Sequence, residues 1–283
     1  VTHLVLILVQ LCFASLAVVG KAALAHVPAN AMVLVRVAGG AITFLVLARA
    51  RGALGVAARD LPRIVVCAVL GLVLNQILFL NGLARTTAVN ASVLGSTIPV
   101  FTAAIAMLTR REPVRTLRLC GIAVAFTGAL ILVGADRFSL TEGTTLGNLL
   151  ILANSLCYGT FLVVVRTLAA RIRPLPLVAL LFGCAVPFVI PPGIAAWASF
   201  APTGRDLALL GFILAVPTVG AYGLNQVALA RAEASLVAAY IYLQPLLATA
   251  GAMLLLGERP APRVFAAGAL ILGGLALSTA RRR

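Results

Sequence analysis

The chain has 283 residues, of which 62% are hydrophobic and only 10% charged, and its mean hydropathy is +1.13; a soluble domain is about 45–50% apolar and about 25% charged. This composition excludes a water-soluble globular protein. A bilayer core about 30 Å thick takes roughly 20 helical residues per crossing, so the length admits about ten crossings with short loops and no room for an extramembrane domain.

Apolar runs between Arg-, Pro- and Gly-marked breaks predict, in chain order, helices over Leu4–Leu24, Ala31–Ala48, Ile64–Leu80, Ala88–Leu108 and Leu117–Val133. A second set follows over Leu146–Val165, Pro176–Trp197, Leu207–Leu229, Ala234–Leu256 and Val264–Thr279. The first run lacks a basic leader and a small-x-small cleavage site, so it reads as a helix of the mature protein.

The formal net charge of +15 would suggest a nucleic-acid partner in a soluble protein. Such a partner requires a solvated basic face, whereas here the arginines separate apolar runs. Arg49, Arg51, Arg59, Arg63, Arg110, Arg111, Arg115, Arg118, Arg171, Arg173, Arg231 and Arg281–Arg283 all fall in alternate loops on one side. Cytoplasmic loops retain Lys and Arg, which places that side and both termini in the cytoplasm of a cell-membrane protein, with the bilayer as partner and no nucleic acid.

The five cysteines, Cys12, Cys67, Cys120, Cys157 and Cys184, stand singly in apolar runs and read as packing residues. His3 and His26 form no ligand motif, so neither a metal nor any other cofactor is expected.

The polar stretch Gly134–Thr145 divides the chain into segments 1–134 and 146–283, with 135–145 as a linker. The two segments resemble each other. "LNQ" occurs at Leu74–Gln76 and at Leu224–Gln226, each followed by a proline, Pro99 or Pro245, then Glu112 or Glu258, then Gly128 or Gly274. "LCFA" at Leu11–Ala14 aligns with "LCYG" at Leu156–Gly159, and Lys21 with Arg166. Five helices per half is an odd number, so the second half enters the membrane upside down. The expected fold is an all-α membrane protein of ten transmembrane helices in two inverted five-helix repeats, an architecture with a midplane solute site between the repeats.

Ten helices in this arrangement, "VLVRVAGGAITFL" around Arg36, "LNQILFLNGLARTTAVNAS", and a Glu preceding a Gly-containing last helix resemble the EamA family of the drug/metabolite transporter superfamily over essentially the whole chain. The resemblance implies transport of small metabolites, often export of amino acids or related solutes, through a central cavity by alternating access. It implies no enzyme activity. The alternatives are a non-transporting membrane assembly protein and, with less support, a membrane-embedded enzyme, for which the sequence offers no His-Glu-x-x-His, Gly-x-Gly-Asp or Asp-rich diphosphate motif.

Arg36 is a charge inside an apolar helix, costing about 2.5–3.5 kcal/mol to insert. Either it snorkels to the interface or packs on carbonyls, or its planar fork meets an anionic group of the solute. Lys21 and Arg166 read as interfacial anchors. Asn75, Gln76, Asn225 and Gln226 are deep amides that either bind helices together or line the cavity. Asn154, Tyr158, Tyr222, Tyr240 and Gln244 place polar tips on helices that the family resemblance implies around the cavity. Pro99, Pro217 and Pro245 predict kinks. Small-residue ladders at Gly121, Ala125 and Ala129 and at Ala269 and Gly273 predict close helix contacts, between the halves or in a homodimer. Glu112 and Glu258 read as exposed ion pairs beside Arg111, Arg115, Arg259 and Arg263. The seven acidic residues all fall in loops or at helix ends, which predicts a facilitator without proton coupling.

The charge pattern makes one direct prediction. With the termini cytoplasmic, a cysteine introduced at Ser139 reacts with an impermeant thiol reagent from outside intact cells; labelling only after permeabilisation would reverse the topology.

Overall fold

A computed structural model describes residues 2–52, 55–86, 91, 94–113, 115–133, 142–244, 246–247 and 262–279. Helix α1 spans Thr2–Leu24 and α2 spans Ala29–Ala50. The rod α3 is built of Leu61–Ala68, a π-helical turn at Val69–Leu74, and Asn75–Arg85. Helix α4 is Ile98–Leu108, α5 Thr116–Val133, α6 Glu142–Ala169 and α7 Pro174–Ala198. The rod α8 joins Gly204–Leu214, a π-helical turn at Ala215–Gly220, and Ala221–Leu229. Helix α9 begins as Ala234–Ala239 and tightens to a 3-10 turn at Tyr240–Tyr242, and α10 is Pro262–Thr279. Among the described residues the secondary structure is helical throughout.

Among the described residues, five stretches are long and apolar enough to cross a bilayer: Ala29–Ala50, Ala58–Arg85, Thr144–Ala169, Pro174–Ala198 and Gly204–Leu229. Shorter apolar helices occupy Thr2–Leu16, Ile98–Leu108, Thr116–Ile131 and Phe265–Ser278. Large apolar side chains such as Ile42, Val46, Phe188, Ile194, Leu207 and Phe265 are exposed on the outside of the bundle, the surface that suits lipid and not water.

Local chemistry explains where several elements begin and end. Thr203 and Asp206 form a capping box at the head of α8, with Asp206 N–H donating to Thr203 Oγ1 (3.3 Å) and Thr203 N–H to Asp206 Oδ2 (2.9 Å). The predicted helix Ala88–Leu108 is interrupted instead. The chain turns at Ser96–Thr97 and α4 restarts at Ile98, so Pro99 lies in a first turn, where its missing N–H leaves no bond unmade. The first turn of α6, from Glu142 to Thr145, is helical where the sequence predicts linker. Residues 134–141, including Ser139, and Pro245 and Glu258 lie outside the described residues, as does the side chain of Lys21.

The rods of the first half pack on those of the second in a reciprocal pattern. Helix α2 packs on α7, α5 on α10, α4 on α9, α3 on α6, and α1 on α8. Exchanging each first-half rod for its second-half counterpart maps every one of these pairings onto itself or onto another in the set. In α2 and α7, Gly40 lies against Phe182 while Gly193 lies against Leu34, so these two helices run antiparallel. In α5 and α10, Gly121 faces Gly274 and Ser278 while Gly128 faces Ala267 and Ile271, again antiparallel.

The α5–α10 contact is a backbone-to-backbone approach. A Cβ on Gly274 would come within 2.4 Å of Ala125 N and 2.6 Å of Gly121 O, whereas adjacent Gly273 faces open space. Small residues at such crossings let dispersion and weak polar contacts act at short range, which is how helices associate where lipid removes the hydrophobic drive. Gly274→Ala is therefore expected to destabilise the protein by about 1–3 kcal/mol, because backbone atoms cannot rotate away as a side chain can. Gly273→Ala should leave stability within about 0.5 kcal/mol. Denaturant unfolding in detergent micelles measures both, and equal effects would refute the close-approach account.

Candidate functional site

Between the halves lies a cavity of about 210 Å³. Its polar wall comes from matching rods of both halves: Gln10 on α1, Asn75 and Gln76 on α3, Asn154 and Tyr158 on α6, Tyr222 and Asn225 on α8, and Gln244 beyond α9. Phe13, Leu16, Phe79, Leu83, Leu162, Val237 and Ile241 supply most of the apolar wall. Arg36 on α2 is the charged side chain in this lining, and α7 contributes no lining residue among those described.

Arg36 is 2% exposed, and it is held by the irregular middle of α8. Pro217 has no N–H, so the Ile213 carbonyl, its normal partner one helical turn back, loses a donor. The Thr218 hydroxyl donates to Ile213 O (2.8 Å) and accepts from Arg36 Nε (2.9 Å). The π register carries Ala221 N–H back to Val216 O, and Arg36 Nη2 makes a long contact of 3.5 Å to Pro217 O. Thus the kink predicted at Pro217 is a π turn, and its displaced backbone groups are answered by one hydroxyl and one guanidinium. Among the described residues, Arg36 has no carboxylate partner.

The amides are positioned by contacts between the halves. Asn154 Nδ2 donates to Asn75 O (2.7 Å), and Tyr222 OH donates to Asn75 Oδ1 (3.3 Å). Tyr222 stands edge-on to Phe13 and Phe182, with ring centroids 5.5 and 5.3 Å apart, a favourable aromatic geometry. The Gln76 amide is 1% exposed and makes no hydrogen bond, although it lies beside the Tyr222 phenol. Asn225 Nδ2 is likewise buried without a partner. These unbonded amide atoms are closed off just behind the cavity surface, where a small shift of the wall would bring them within reach of a polar solute.

Eight of the residues singled out in the sequence, Arg36, Asn75, Gln76, Asn154, Tyr158, Tyr222, Asn225 and Gln244, meet at this cavity. Gln226 and Tyr240 lie outside its lining. Gln226 is fully buried behind the wall with its amide unbonded, and the Tyr240 hydroxyl bonds the His3 ring. The sequence reading did not mark Gln10, whose Oε1 accepts from Gln244 Nε2 (2.7 Å); its signal was a lone amide within the apolar run Leu4–Leu24. Glu112 is also placed differently from the sequence expectation: its side chain is 9% exposed and bonded to Arg118 and Ser235, not an exposed pair. Among the described residues no group of three His, Cys, Asp or Glu side chains is arranged to hold a metal ion.

Comparison with known proteins follows the same division into halves. The profile of the EamA-like transporter family matches residues 1–134 and again residues 145–280. A probable terminal-alkyne amino-acid exporter of Streptantibioticus cattleyicolor is 28% identical over 248 residues, covering 85% of this chain and 81% of the relative. An uncharacterized transporter of Archaeoglobus fulgidus is 27% identical over 205 residues, covering 71% and 70%. A solved crystal structure shares the fold with a TM-score of 0.84 at 19% identity, over 98% of this chain and 96% of the other. Two family matches, one on each half of a helical bundle with a cavity between them, establish that the chain belongs to the EamA-like transporter family.

Proposed function

We propose that the protein exports amino acids or closely related small solutes across the cell membrane by alternating access between two inverted five-helix repeats, with ten crossings and both termini cytoplasmic. The observation that carries this reading is a cavity between the halves whose described lining holds one buried arginine, no carboxylate, and several amide side chains. A carboxylate entering it would meet the guanidinium that otherwise has only a hydroxyl and a carbonyl for partners. The ammonium of an amino acid would be met by amide and phenol oxygens, and the apolar wall would take its side chain. The volume is below the roughly 300–1,000 Å³ of drug-sized sites, which favours a small solute. The exporter from Streptantibioticus supports the amino-acid class and the outward direction.

Arg36→Ala is expected to lower solute counterflow in proteoliposomes by at least about 100-fold, because an unpaired buried carboxylate costs roughly 3 kcal/mol or more. Membrane insertion should be undiminished, since the substitution removes a cost of insertion. Arg36→Lys should recover only part of the activity, having no planar fork. Full counterflow by inserted Arg36→Ala protein would refute the carboxylate site.

The described cavity wall contains neither an acid nor a histidine, and proton-coupled carriers commonly place such groups on the path. Net flux is therefore expected to follow the solute gradient. With equal solute on both sides of proteoliposomes, an imposed pH gradient should produce no accumulation. Accumulation abolished by a protonophore would refute this mode.

A further inference from the structure

The two halves are also joined by charges, and these joints gather at one end of the bundle. Helix α4 ends in a Schellman turn: Arg111 N–H returns to Ala106 O (2.9 Å) and Arg110 N–H to Met107 O (2.9 Å), with Arg110 at φ 53°. That position ordinarily favours glycine, and the left-handed residue turns the chain so that Glu112 faces the head of α9. There Glu112 Oε1 accepts from Ser235 N–H (3.2 Å), and Glu112 Oε2 accepts from Ser235 Oγ and from Arg118 Nη1 (3.3 Å). Arg118 Nη1 also donates to Ser235 Oγ (2.9 Å) and pairs with Glu233. The Arg118 and Glu112 side chains are 10% and 9% exposed. At the same end of the bundle Arg171, after α6, pairs with Asp60, before α3.

Among the described residues, a neutral pair joins the halves at the opposite end. Thr86 Oγ1 donates to Asn148 Oδ1 at 2.6 Å, and the cavity lining extends toward that end through Leu83, Ala91 and Gly95. On the charged side the wall reaches Val237, two residues beyond Ser235.

We propose that the Glu112–Arg118–Ser235–Glu233 cluster is a latch that seals the cavity on the arginine-rich face and releases when the halves rock. The proposal rests on the transport reading above. Arg118 and Glu112 are nearly desolvated while the Glu233 side chain is 31% exposed, so parting the halves separates a buried pair that must be rehydrated, and removing Glu112 leaves the buried Arg118 with only the partly exposed Glu233 as a charged partner. The latch thereby sets the ratio of the two conformations without touching the solute.

Two measurements test this. With Val237→Cys as the sole cysteine, an impermeant maleimide should react from the α3–α4 face and at least about tenfold more slowly from the arginine-rich face. Glu112→Gln should raise the arginine-face rate by about tenfold or more, and Ser235→Ala, which keeps all three charges, by a smaller factor. Unchanged rates in both variants overturn the latch, and this assay needs no transport. In Glu112→Cys/Ser235→Cys protein without other cysteines, oxidation to the disulfide should stop counterflow and reduction restore it. Undiminished counterflow with the disulfide formed overturns the latch, whereas absence of counterflow in unsubstituted protein overturns the transport reading and leaves the labelling result to stand.

Discussion

A bilayer supplies no hydrogen bonds, so every polar group within it must find a partner in the protein or in a solute. The centre of this bundle is organised by that constraint. Pro217 removes a donor, the π register shifts another, and a threonine and an arginine from the other half answer both. Arg36 thus repairs the backbone of α8 and presents its charge to the cavity in a single arrangement. Its cost of insertion is offset partly by the contacts it makes and partly by apolar neighbours on α2, including Val33, Val37 and Phe44.

The reciprocal pairing of the halves accounts for the shape of the site. Because α1, α3 and α4 are matched by α6, α8 and α9, amides and aromatic rings converge on the cavity from both directions. Arg36 breaks the pattern, since α7 offers no counterpart. One charge in a near-symmetric wall gives the cavity a polar direction, which on the proposed reading would orient a solute with one anionic end.

Much of this was legible in the sequence because lipid-facing helices are written in long apolar runs and because "LNQ", the prolines and the glutamates recur in order. Arg36, Asn75, Gln76 and Asn225 stood out as polar residues in apolar surroundings, and they do meet at the cavity. What remained hidden depends on contacts between distant segments. Gln226 follows Gln76 in the repeat, yet it lies behind the wall, because motif equivalence does not fix side-chain direction near a π turn. The burial of Glu112 required knowing that Ser235 sits opposite, and the interruption before Pro99 required a turn whose carbonyl at Leu94 also accepts from Ser155 on α6 (3.1 Å). Single-sequence periodicity carries no trace of such partners.

Helices α5 and α10 pack chiefly on each other, through backbone contact at Gly121 and Gly274, and contribute no described residue to the cavity. The bundle therefore separates rods that line the cavity from a pair that only packs. On the proposed reading, changes on α1, α3, α4, α6, α8 and α9 would alter the solute, while at the α5–α10 seam sterics leave no room for a side chain at Gly121 or Gly274. Relatives that carry different cargo are expected to diverge along the first group and to keep small residues in the second.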